Sequence, residues 1–165
     1  MTESVNKNLI PILVIIGGST LLFISFGIRH SFGLYLLPVS EYLGTGREVF
    51  GISAALQVLM IGVGSPIFGA LSDKYGSGKA SFIGIIIVIL GLVWMANVQS
   101  SFDIIGSQFL FGIGAAGCGT AVVLGAVGRS VKVSNRTLAL GVVMAAGSFG
   151  QFVMVPMIGY LIELF

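Results

Sequence analysis

Charge is what this sequence has least of. Only 8% of its 165 residues are Asp, Glu, Lys or Arg, against roughly 25% in an ordinary soluble domain, too few to clothe a water-soluble globule. Cysteine is almost missing as well. The single Cys118 forms no internal disulfide and anchors no metal cluster, and its small apolar neighbours mark it as a packing residue. A formal charge of +2, from 8 basic and 6 acidic residues, leaves no footprint for nucleic acid. The apolar segments hold no Ser/His/Asp or Cys/His set, no HExxH and no carboxylate pair. Hydrolysis therefore lacks its reagents, and no enzyme activity, cofactor or metal site is expected.

What the chain has instead is apolar length. Of its residues 56% are hydrophobic, and a bilayer-spanning helix needs about 20 such positions in succession. Five runs qualify, at 9–37, 49–71, 80–98, 104–128 and 138–162. Short polar connectors at 38–48, 72–79, 99–103 and 129–137 join neighbouring antiparallel helices rather than separate domains. A transmembrane barrel would show segments of about ten residues of alternating polarity, whereas 83–93 is apolar on every side. The expectation is an all-α membrane protein whose residues 1–165 form one partial transmembrane domain. The first run is too long for a cleaved leader and belongs to the mature chain.

Basic residues orient the chain, because short cytoplasmic loops retain Lys and Arg. With the N-terminus inside, Lys7, Lys74, Lys79, Arg129, Lys132 and Arg136 are cytoplasmic, Arg47 is outside and Arg29 lies within a helix. The expected setting is the inner, cytoplasmic membrane. The chain stops at Glu163, Leu164 and Phe165 as the fifth run ends, which reads as a truncation.

Small residues at four-residue spacing mark close helix contacts in lipid. Gly62, Gly64 and Gly69 are placed where helices could approach closely, as are Gly117, Ala121 and Gly125, which keep that spacing. Pro66 and Pro156 fall inside runs two and five, where each removes a backbone donor and favours a kink. Three apparent motifs carry nothing. Gly112, Gly114 and Gly117 spell GxGxxG inside an apolar run, without a strand before them or an acidic residue about 20 positions on. Residues 76–79 resemble a phosphate loop but lack its first glycine, where Asp73 stands, and its hydroxyl, where Ala80 stands. Asn135-Arg136-Thr137 is a glycosylation sequon in a loop that the charge rule keeps inside.

Arg29 is the most informative residue. Eight residues separate it from Leu37, which at 1.5 Å each puts it roughly 12 Å from the outer end of its helix. Arginine at the centre of a membrane helix costs about 2.5–3.5 kcal/mol on the insertion scale, and such residues face a cavity or a partner. An anion site is the functional reading; snorkelling or bonding to carbonyls at a bend is the structural one. His30 points about 100° away and could relay protons or donate to a carboxylate. Gln57, Gln108 and Gln151 add neutral polar groups that could orient a ligand or bond to another helix.

The connector after run two reads Gly69-Ala-Leu-Ser-Asp73-Lys74-Tyr-Gly76-Ser-Gly-Lys79 and resembles the loop between helices two and three of the major facilitator superfamily. Gly69, Asp73, Lys74, Gly76 and Lys79 fit the pattern, and Gly78 replaces a usual basic residue. The resemblance implies that Asp73 latches one state of a gate against the other half of a transporter. Within that family, Arg29-His30-Ser31-Phe32-Gly33 through Pro38 is similar to helix one of monocarboxylate transporters and of bacterial oxalate/formate antiporter relatives. His30 then falls where many carry a functional lysine, with Arg29 one residue earlier. Gly147 to Gln151 with Pro156 resembles helix five of the same bacterial group, and matches the antiporter motif only in the spacing of Gly141 and Gly150. Gln108 stands where many members carry an arginine.

The resemblance implies five helices of a six-helix N-terminal bundle. The whole would be a secondary transporter with its site at the interface with a missing C-terminal half. Its expected partners are the lipid bilayer, that half and a small organic anion, with Arg29, His30, Gln57 and Gln151 as substrate-binding residues. A non-transporting membrane scaffold, or a carrier of neutral or cationic solutes, are the competing expectations.

Overall fold

A computed structural model describes residues 2–164, with side chains from residue 10 onward. Lys7 and Leu9, which enter the charge count and the first run, and the terminal Phe165 lie outside the described side chains. The described residues are helical with no strand, and five helical stretches are long and apolar enough to cross a membrane. The elements are α1 (Thr2–Ser31), a 3-10 turn (Phe32–Tyr35), α2 (Leu36–Leu43), α3 (Arg47–Tyr75), α4 (Ser77–Ala96), α5 (Ser101–Gly117), α6 (Thr120–Ser130), a second 3-10 turn (Val133–Asn135) and α7 (Arg136–Leu164).

Two of the five stretches are interrupted. The first carries the 3-10 turn Phe32–Tyr35 and resumes as α2. Pro38 explains both features: it has no N–H to offer the Leu34 carbonyl, and it sits in the first turn of α2, where that donor is not needed. The fourth stretch breaks between Gly117 and Thr120, where the N–H of Cys118 reaches Gly114 at 3.3 Å and that of Gly119 reaches Ala116 at 3.4 Å. α3 and α7 run as helix through Pro66 and Pro156. Just before Pro66, the Ser65 hydroxyl donates to the Ile61 carbonyl at 2.6 Å.

The chain packs as two compact units, residues 1–31 with 123–165, and residues 32–122. In the first, α1 and α7 run parallel: Gly18 faces Val143, Gly147 faces Leu22 and Phe26, Gly150 faces the Phe23 carbonyl, and Gly27 faces Met154. Lipid tails offer helices no hydrophobic drive to associate, so this seam depends on close van der Waals approach, which glycine permits. The start of the unit's α6 portion closes over it, and Leu22, Val123, Val127, Ala139 and Val143 form the core.

In the second unit α5 is central. α3 packs parallel to it, with Gly112 against the Gln57 carbonyl, Gly64 against Ala116 and Gly117 against Phe68. α4 packs antiparallel, its Gly84 on Gly114 and Gly117 and its Gly91 on Ser107 and Phe111. The GxGxxG glycines are therefore packing residues, all buried in α5. The small-residue sets need correction. Of the first, Gly64 makes the contact, while a Cβ at Gly62 or Gly69 meets no atom of the described residues within 4 Å. Of the second, Gly117 is packed and Ala121 is exposed. At 3.6 residues per turn, Gly62 and Gly69 leave the face that Gly64 turns to α5.

A hydrogen-bonded staple joins α4 to α5. Asp103 Oδ1 accepts from Trp94 Nε1 at 2.9 Å, while Oδ2 accepts from the Ser100 hydroxyl at 2.7 Å and the Gln99 N–H at 3.1 Å. Ser100 caps α5 by accepting from the Asp103 N–H at 3.3 Å. Its sequence signal was the Ser-x-x-acid spacing of a helix start.

Candidate functional site

The last turn of α1 holds Arg29 and His30. Membrane depth requires every polar group there to find a partner or a watery cavity, and the three consecutive residues 29–31 differ in how they meet that demand. Ser31, fully buried, donates its hydroxyl to the Gly27 carbonyl at 2.8 Å. His30 is exposed and its Nδ1 lies 2.9 Å from the Phe26 carbonyl. A carbonyl only accepts, so the Nδ1–H donates and, in the neutral ring, Nε2 is left with its lone pair outward. Arg29, half-buried, has no hydrogen-bond or ion-pair partner among the described residues. Two carbonyls in the last turns of α1 thus accept from its neighbours, and among the described residues nothing accepts from its guanidinium.

Gln151, half-buried on α7, belongs to the same unit. The seam sets its level. With Gly27 facing Met154 in parallel helices, Arg29 is level with Pro156, and Gln151 lies about five residues lower, roughly 7.5 Å along the axis.

Gln57 belongs to the other unit. Its Nε2 donates to Gln108 Oε1 at 2.7 Å, with both side chains buried. The amide that could orient a ligand is here a bond between α3 and α5. Such interhelical bonds in membranes are worth on average about 0.6 and at most about 1.7 kcal/mol. A double-mutant cycle with Gln57→Leu and Gln108→Leu, read by thermal unfolding in detergent, is expected to give a coupling in that range. Strictly additive losses would deny the bond any contribution.

The loop motif sits where α3 gives way to α4. Asp73, Lys74, Gly76 and Lys79 are exposed, and Lys74 Nζ lies 5.1 Å from the Tyr75 ring centroid. Gly76 has φ +95° and ψ 144°, a conformation nearly closed to side-chain-bearing residues. Its N–H donates to the Ser72 carbonyl at 3.0 Å, ending α3 while its own residue opens α4. The motif glycine is therefore required by backbone geometry. Gly76→Ala is expected to cost about 1–3 kcal/mol, seen as a lowered unfolding midpoint, while Gly78→Ala, in the first turn of α4 with no atom of the described residues within 4 Å of its Cβ, leaves it unchanged or raised.

The described residues contain no group of three or more His, Cys, Asp or Glu placed to hold a metal ion. Sequence reading missed the role of Ser31, whose short hydroxyl can return to its own helix.

Comparison with known proteins bears on what such a bundle does. The family model described as Major Facilitator Superfamily matches residues 16–165. The chain is 29% identical over 141 residues to the MFS-type transporter pytF of Aspergillus terreus, covering 84% of this chain and 47% of that protein. It is 26% identical over 147 residues to monocarboxylate transporter 11 of Mus musculus, covering 86% and 32%. To the vesicular acetylcholine transporter of Torpedo marmorata it is 29% identical over 115 residues, covering 70% and 22%. The chain thus spans less than half the length of each of these relatives. No solved structure matches it.

Proposed function

The chain belongs to the Major Facilitator Superfamily, and from that premise we propose that it is the N-terminal part of a secondary transporter for small organic anions, monocarboxylates foremost. The observation that carries this reading is that Arg29 has no hydrogen-bond or ion-pair partner among the described residues, while two neighbours are bonded to carbonyls. A cation held at membrane depth without a counter-ion attracts an anion there. His30 offers Nε2 and Gln151, in the same unit, offers an amide that orients the solute, whereas Gln57, bonded to Gln108 in the other unit, is left out of the site. The missing C-terminal half completes the site, and the two halves rock about it to alternate access. Asp73, with Gly69, Lys74, Gly76 and Lys79, forms the gate against that half. The N-terminus is cytoplasmic, in the cell's inner membrane, by the bias of the basic residues. The solute crosses chemically unchanged.

A neutral or cationic solute is the second reading, favoured by the acetylcholine transporter among the relatives; Arg29 would then pair with an acidic residue of the other half. The deciding experiment is uptake of radiolabelled monocarboxylates, dicarboxylates and choline esters into cells expressing the contiguous full-length gene. Saturable uptake of one acid is expected. Uptake of a choline ester with no acid entering overturns the anion reading.

A further inference from the structure

Where α6 gives way to α7, this charge-poor chain places Arg129, Lys132 and Arg136 within eight residues, and no Asp or Glu occurs anywhere from residue 104 to 162. Among the described side chains of this unit the acidic one is Glu163, at the far end of α7, some 27 residues and roughly 40 Å along the helix axis from Arg136. Lys132 and Arg136 are exposed, and neither side chain has a hydrogen-bond or ion-pair partner among the described residues. The Arg136 stem lies along α6: a Cβ built at Gly128 would meet its Cδ at 4.0 Å. Two apolar side chains accompany these cations, Val133 at 79% and Leu138 at 74% exposure.

We propose that the segment from Lys132 to Leu138 docks the headgroups of anionic phospholipids in the adjoining leaflet. The loop joins two membrane-crossing stretches, so it meets the headgroup layer by construction. A lipid phosphate accepts from the Lys132 ammonium and the Arg136 guanidinium, while Val133 and Leu138 enter the layer beneath. A soluble anion would meet the charge but leave the two apolar groups in water. An acidic protein would compete with an anionic membrane surface already in place. The proposal needs neither a transported solute nor a choice of leaflet, so it stands or falls apart from the transport reading.

The test is native mass spectrometry of the chain purified in detergent and offered phosphatidylglycerol and phosphatidylcholine in equal amounts. The wild type is expected to retain phosphatidylglycerol preferentially, and the preference to fall roughly fivefold for each cation removed in Lys132→Gln and Arg136→Gln. The charge-keeping pair Lys132→Arg and Arg136→Lys retains it, as does Arg47→Gln, which removes a cation from another connector. Should the glutamine variants fail to fold, salt decides, because screening must erode the wild-type preference. No preference in the wild type, a preference undiminished in the folded glutamine variants or by salt, or displacement of the lipid by an equal concentration of inorganic phosphate would each overturn the proposal.

Discussion

On the anion reading, Arg29→Gln in the full-length protein is expected to cut uptake of the acid, at concentrations near the wild-type KM, to roughly a fifth or less. Glutamine keeps most of the side chain's length and hydrogen-bonding capacity but loses the charge. Charge-assisted hydrogen bonds contribute about 1.5–3 kcal/mol, so affinity should fall roughly ten- to hundredfold, and KM should rise by that factor where substrate dissociation is fast. Arg29→Lys should recover part of the loss, since an ammonium supplies the charge without the planar fork that grips a carboxylate in two places. His30→Gln should cost less, because the Nδ1–H already serves the Phe26 carbonyl. The measurement is uptake into cells with matched surface expression of the full-length variants. A wild-type KM in the glutamine variant would mean that Arg29 does not touch the solute.

The five stretches were legible because continuous apolar runs of about 20 residues can cross a bilayer only as helix, a barrel strand being shorter and alternating. The motif of the connector after α3 was legible by its spacing, and Gly76 supplies a physical reason for its glycine, a backbone conformation nearly closed to other residues. The break at Cys118 and Gly119 was not legible, because glycine and small apolar residues read as a continuous span whether the helix continues or tightens. The union of Gln57 with Gln108 joins residues 51 apart, and no local periodicity encodes that. Small residues within one apolar run signal close approach without saying which face meets a neighbour, so Gly62 and Gly69 looked equal to Gly64. Arg29 stood out by its cost in the membrane; that its neighbours, and not it, would serve the carbonyls depended on rotamers that only the fold fixes.

Gly150→Leu should be the most destructive single packing change in unit one. A Cβ built at Gly150 overlaps the carbonyl oxygen of Phe23, which is backbone and has no rotamer to yield. Even alanine must push α1 away from α7 there. Overpacking costs about 1–3 kcal/mol, occasionally more, whereas the helix-propensity gain over glycine returns at most about 1 kcal/mol, so the balance is unfavourable. Leucine should move it to the upper end of the range and open the parallel seam that also joins Gly27 to Met154, two residues from Arg29. Gly141, on the same helix, meets no atom of the described residues within 4 Å, so Gly141→Leu gains propensity without collision and should be neutral or stabilising. Unfolding midpoints of the two variants in one detergent separate the cases. If Gly150→Leu unfolds no earlier than Gly141→Leu, the seam is not held by close backbone approach, and Arg29 is not positioned by it.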